Sequence, residues 1–446
     1  MNSLPRAEWW RPQPATGIEL PWAAATARPS GRASSSLAFR GLLAFTLILV
    51  VAPQSFFPAL RPLRLALVAA VAGIAATLGD RLAHGRPLTV GGKEIVLTAA
   101  LVAWAAITVP VSYWPGGSVS FLLDIYFKTV AIFWLLASVV DTLGRLRTLA
   151  WSLALMGVPL ALTALKNFAS GAFMDKNRIV GYEGALTANP NDLALMLNLL
   201  LPLVVGLLLA SRGAITRGIL LAIVLLEATA VIVTFSRGGF LSLAVCVGLY
   251  LWRLVRRGLT GWVLAALLAC VGGSILLPSS YLTRLATITD IDSDPTGSAQ
   301  ARWSDSVAAV RFVADNPLIG AGIGMDTEAL NEVRGVKWKQ VHNAYLEYAV
   351  DLGLPGLTLF LLLFASCLKK VRSVRRRAGA GRDAHDLGGL AEGIEVALIG
   401  FAVGAFFAPV AYQFFFYYLA GLAVAAGGID RGLAASEGVP PAASAS

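Results

Sequence analysis

Residues 191–210 read NDLALMLNLLLPLVVGLLLA, and their reading decides the fold. After Asp192 come eighteen residues without a charge. A run of that length, about 18 or more apolar residues, is long enough to cross a bilayer as a helix. Asn189-Pro190-Asn191 just before it is a turn and helix start in its own right. Similar apolar runs recur on both sides. Twelve spans are expected, at 38–53, 62–79, 95–112, 121–140, 148–168, 191–210, 218–235, 239–254, 260–278, 342–368, 393–410 and 412–428. The expected fold class is therefore all-α, a polytopic integral membrane protein with one large loop between helices 9 and 10.

Composition agrees. Of the 446 residues, 57% are hydrophobic and 14% charged, against about 25% charged in soluble domains. The net charge of +10 does not call for nucleic acid, because membrane proteins concentrate Lys and Arg in cytoplasmic loops. With the N-terminus inside, 23 Lys and Arg fall on the cytoplasmic side and 12 outside. That places both termini in the cytoplasm and the long insert outside. The expected division is a cytoplasmic tail (1–36), helices 1–9 (37–278), a large outer loop (279–341), helices 10–12 (342–428) and a short tail (429–446). The Pro-rich N-terminus lacks a small-residue cleavage site, so the first apolar run reads as a retained helix. Lys369 to Arg377 reads as a basic cytoplasmic loop touching anionic lipid. Cys246, Cys270 and Cys367 stand singly in apolar runs and read as packing residues.

Ionisable groups are expensive at a bilayer edge, so where they gather the chemistry is expected. They gather on the outer side. Ser236-Arg237-Gly238-Gly239 interrupts two apolar runs; the glycines allow close backbone approach, and the guanidinium fork matches two phosphate oxygens. Arg302-Trp303 stands at the head of an amphipathic pattern, with Ala301, Val307, Ala308, Val310 and Phe312 on the apolar side. That pattern predicts a helix over 299–313 on the membrane surface. Asn316 to Gly324 is Gly-rich, but no strand precedes it, so it reads as a turn for close packing rather than a nucleotide loop. His342 is the one histidine of three on the outer side, and a neutral imidazole is a natural base for a sugar hydroxyl. Asn343 beside it either orients the ring or caps the helix. Arg178 adds a further outer cation. Asp290 to Asp294 resembles a calcium loop but lacks the glycine and the last acidic ligand, so no metal site is expected.

In their order, Arg178, Asn189-Pro190-Asn191, Ser236-Arg237-Gly238-Gly239, Arg302-Trp303, Asn316 to Gly322, His342-Asn343 and Leu352-Gly353-Leu354-Pro355-Gly356 resemble the O-antigen ligase family. That family also holds polysaccharide polymerases and related oligosaccharyltransferases. The resemblance spans roughly residues 170–370. It implies a metal-independent, inverting glycosyltransferase without a cofactor, in the inner membrane with its active site and large loop on the periplasmic face. Its donor is a glycan on undecaprenyl diphosphate, and its acceptor is lipid A–core in ligases or a lipid-linked repeat unit in polymerases. Carried over residue by residue, His342 is the catalytic base, and Arg237 and Arg302 bind pyrophosphate. Arg178 joins them as a further cation from its place on the outer side, with Asn343, Trp303 and Asn189 in support. Two alternatives remain. A transporter of lipid-linked sugars needs mid-membrane charges and pseudo-repeats; the spans hold Asp124, Lys128, Glu227, Glu347 and Asp351, the first two spaced to pair, and no repeat is visible. A scaffold would survive His342→Ala.

Overall fold

The computed structural model of the protein describes residues 34–174, 178–182, 184, 186–261, 297–377, 379 and 381–436. The expected ninth span, Cys270, Asp290 to Asp294 and most of both tails lie outside the described residues. The described chain is helical apart from one antiparallel ribbon, β1 (Phe173–Met174) with β2 (Arg178–Ile179). The N-terminal helices are α1 (Ser36–Val51), α2 (Pro53–Phe56), α3 (Leu65–Ala83), α4 (Lys93–Thr108), α5 (Pro115–Phe121), α6 (Phe127–Val139) and α7 (Leu143–Ala169). After the ribbon come α8 (Pro190–Ala210), α9 (Ala214–Val233) and α10 (Arg237–Arg256). The last five are α11 (Ser298–Asp315), α12 (Asp326–Arg334), α13 (Ala344–Arg377), α14 (Arg382–Gly404) and α15 (Phe414–Ser436).

Among the described residues nine helical segments are long and apolar enough to cross a membrane, and α1 is apolar but shorter. This is a multi-pass membrane protein. Helices suit the bilayer because each satisfies its own backbone hydrogen bonds where water is absent. A helix stands at the place of every expected span except 260–278, so the count of twelve reaches into residues outside the described set. Leu67, Val68 and Val71 on α3, with Ile215, Ile219, Leu221 and Leu225 on α9, are exposed on the bundle's outer surface, where acyl chains take the place of water. Asp124 and Lys128 pair at 3.0 Å.

The centre is made by α8 and α14. Gly206 faces Gly389 and Gly393, and a Cβ on Gly393 would lie 2.5 Å from the Pro202 carbonyl. Small residues at this spacing let two helix backbones touch, which packs them tightly without a hydrophobic driving force.

Two expectations change. The basic stretch Lys369 to Arg377 is not a loop but the last turns of α13. Three of its charges pair with buried carboxylates: Arg372 and Arg375 meet Glu395 at 2.9 and 2.6 Å, and Lys370 meets Glu94, while Lys369, Arg376 and Arg377 stay exposed. Arg253 of α10 reaches Glu395 as well, at 2.9 Å. Carboxylates buried at a bundle end need partners, and the arginines answer that need before any lipid does. The eleventh expected span, 393–410, is displaced: α14 begins at Arg382 and ends at Gly404. Its first turns carry Asp386, Glu392 and Glu395, all buried, which hydropathy alone reads as a loop.

Candidate functional site

At the other end of the bundle, the Gly-rich loop docks on a break in α13. Gly353 interrupts that helix with φ 65°, freeing backbone that the loop takes up. The Ala321 N–H donates to the Val350 carbonyl at 2.7 Å, Gly322 N–H to Asp351 O at 2.8 Å, and Leu354 N–H to Pro317 O at 2.8 Å. On its other side the loop meets the turn before α5: Tyr113 N–H donates to Ala321 O, and Ser118 Oγ to Ile323 O, each at 2.9 Å. Asp351 finishes the grip. Its two carboxyl oxygens accept from Gly324 and Met325 N–H at 2.9 and 3.0 Å.

Beyond the loop, α12 and α11 form a cover. The buried face of α11 is Asp305, Ala308, Ala309 and Phe312, one helical stripe that packs on Ala321, Met325, Ala329 and Leu330. Asp305 pairs with Arg334 at 2.6 Å, both almost fully buried. Of the apolar positions expected to face one way, Ala301 and Val310 lie outward, as does Trp303 at 66% exposed. The segment after α12 then runs back over Asp326, whose Oδ2 accepts from Val341 N–H at 2.9 Å. Burial raises the pKa of the Asp326 carboxyl against the pull of hydrogen bonds from Val341 and Thr327.

His342 follows at once. Its Nδ1 lies 3.1 Å from the Gln340 carbonyl, which can only accept, so Nδ1 carries the proton and Nε2 is the ring's acceptor. Burial first, and the Arg302 guanidinium second, hold the imidazole below its ordinary value of 6.5. Asn343 is a helix cap. Its Oδ1 accepts from Tyr345 and Leu346 N–H at 3.0 and 3.2 Å, so it orients the start of α13 rather than the ring. The Ala344 N–H then donates to Ala405 O, tying that start to the end of α14.

Arg237 is the first residue of α10. Thr234, Phe235 and Ser236 make the turn before it, with Phe235 at φ 56° and Ser236 Oγ accepting from Gly239 N–H at 3.1 Å. Gly238 packs under Phe407, where a Cβ would come within 2.7 Å. Arg178 opens β2, and its buried Nε has no hydrogen-bond partner. Burial, and after it the neighbouring Arg237 guanidinium, lower its pKa. Like charges held close in a half-buried place are unfavourable, and an anion between them reverses the sign. Arg302 lines a cleft with Asn191, Asn198 and Ser236 on its polar side and Leu195, Phe407 and Ala408 on its apolar side.

The structure therefore brings Arg302 within electrostatic reach of His342, and Arg178 within reach of Arg237, at one end of the bundle. Asn189 caps α8, its Oδ1 accepting from Asn191 N–H at 2.9 Å. Trp303 turns away. Two acids at the site were not foreseen. Asp192 lies close enough to feel the Arg302 charge, yet an acid in a helix's first turn looks like a dipole partner. Asp326 opens α12, and its contact with Val341 joins positions fifteen residues apart; no local pattern announces it. Among the described residues no three His, Cys, Asp or Glu side chains gather as metal ligands.

Residues 219–361 match the family model described as O-antigen ligase. The matched stretch runs from α9 into α13, so it contains Arg237, Arg302, Asp326 and His342, while Arg178 and Asn189 precede it. The family resemblance read from the sequence motifs is thus supported by an independent comparison. No curated protein matches the chain.

Proposed function

We propose that this protein transfers a glycan from undecaprenyl diphosphate to a hydroxyl of lipid A–core at the periplasmic face of the inner membrane, without a metal and with inversion. The observation that carries the reading is the convergence of a half-buried histidine, protonated at Nδ1, with Arg302 beside it and the crowded Arg178–Arg237 pair at the same bundle end. The acceptor hydroxyl gives its proton to His342 Nε2 as its oxygen attacks the anomeric carbon. The bond from that carbon to the phosphate oxygen breaks, and undecaprenyl diphosphate leaves with the electron pair. Arginines preorganised in a partly dry cleft stabilise the growing negative charge more than they stabilise the bound donor.

The test is transfer in vitro with purified protein, undecaprenyl-diphosphate glycan and lipid A–core, in the presence of EDTA. Labelled lipid A–core is the expected product. Lengthened donor chains with unlabelled lipid A–core replace the ligase reading with a polymerase. No product with either acceptor overturns the transfer reading.

The pH dependence has a definite sign. Neutral His342 is the active form, and its pKa lies below 6.5. kcat/KM, which reports the free enzyme, is therefore expected to fall as the pH drops, with its midpoint below 6.5. Arg302→Gln removes the second cause of the depression and moves the drop to higher pH. An unchanged midpoint in that variant would separate Arg302 from the base.

A further inference from the structure

Gln340 O and Val341 N belong to one peptide group. His342 Nδ1–H donates to the oxygen of that group at 3.1 Å, and Asp326 Oδ2 accepts from its N–H at 2.9 Å. The carboxylate, the peptide and the imidazole thus form one hydrogen-bonded line. We propose that Asp326 is the positioning residue of His342, acting through the Gln340–Val341 peptide as a carboxylate acts directly on the histidine of a hydrolytic triad. The inference rests on the reading of His342 as the base.

Three features support it. The peptide carries both bonds, so holding its N–H sets the direction in which its carbonyl presents itself to the ring. That direction selects the Nδ1–H tautomer and leaves Nε2 to face the acceptor. A carboxylate at the N–H end polarises the peptide, and hydrogen bonds in series strengthen one another by ~10–30% per bond. The Gln340 oxygen becomes a better acceptor, and Nε2 a stronger base. Asp326 itself is anchored from below, because Asp351 of α13 holds Gly324 and Met325, the two residues before it. The alternative, a simple brace for the loop, would be served by any neutral acceptor. A carboxylate only 1% exposed carries a desolvation penalty that such a brace does not require.

The chain has only three histidines, His84, His342 and His385, so labelling histidine with ¹⁵N gives three pairs of ring signals, Nδ1 and Nε2 of each. His342→Ala identifies one of them by its loss. In the wild type that ring is expected as the Nδ1–H tautomer. Asp326→Ala is expected to release it to a tautomer mixture and to lower kcat by about 10–100-fold, the usual scale for losing the group that orients a functional histidine, at unchanged donor KM. Asp326→Asn keeps an oxygen for Val341 and so keeps the tautomer, with the Nδ1 signal moved towards a weaker hydrogen bond. A wild-type tautomer with wild-type kcat in Asp326→Ala would overturn the proposal. If Asp326→Ala does not fold, Asp326→Asn decides alone: an Nδ1 signal identical to wild type overturns the relay. Failure of the base reading appears separately, as transfer retained in His342→Ala, while the ring signals still judge the positioning.

Discussion

His342→Ala is expected to lower glycan transfer by ~10²–10⁴-fold, the usual contribution of a positioned general base, with the donor's KM little changed. The side chain is half-buried and hydrogen-bonds to the carbonyl of Gln340, two residues back in its own chain. Removing it opens no core cavity, and Asn343 still caps α13. Folding is therefore expected to survive, which makes the kinetic loss interpretable. His342→Gln sharpens the case. An amide matches the imidazole in polarity and roughly in reach, yet takes no proton at neutral pH, so it is expected to be as inactive as alanine. Transfer within about tenfold of wild type in both variants, well short of a base's contribution, would remove His342 from the chemistry and favour a scaffold.

Gly320→Ala is expected to detach the Gly-rich loop from α13. A Cβ there would lie 2.4 Å from Val350 O and 2.7 Å from Gly353 N, backbone atoms that no rotamer change can move. Its φ of 74° adds the strain of a left-handed residue, about 1–2 kcal/mol, to an overpacking penalty of about 1–3 kcal/mol. Gly297→Ala is the control. At φ 61° and ψ 7° it bears the left-handed strain, but its Cβ would meet nothing closer than Gln300 Oε1 at 4.0 Å. Thermal unfolding in detergent should show the larger loss for Gly320→Ala, together with loss of transfer, because the loop sets Asp326 and through it the approach to His342. Equal shifts in the two variants would mean that close packing of the loop on α13 does not matter.

Both variants test parts that differ in how far the sequence reveals them. His342 stands out by type and place: one histidine beside outer arginines at the mouth of an apolar run. Asn316 to Gly324 also announces itself, since glycines repeated that densely serve close backbone approach. What they approach is 30 residues away at Gly353, and only the structure pairs them. Trp303 misleads in the opposite sense. Adjacency to Arg302 suggests a shared site, but neighbours on a helix point about 100° apart, and Asp305 rather than Trp303 faces inward.

The sequence by itself determined the membrane class and the all-α fold, because the hydropathy of a 20-residue run depends on local composition alone and the bilayer admits few ways to satisfy its backbone. The helix start at Asn189 was legible, and a cap was one of the two readings of Asn343, for the same local reason: a cap contacts residues two or three positions on. The tertiary structure alone decided that Arg372 and Arg375 reach Glu395, that Arg302 comes within electrostatic reach of His342, and that Asp326 holds the peptide on which His342 leans. Those relations join residues far apart in the chain, and the energy of a charge or hydrogen bond depends on the distance through space, which no periodicity records.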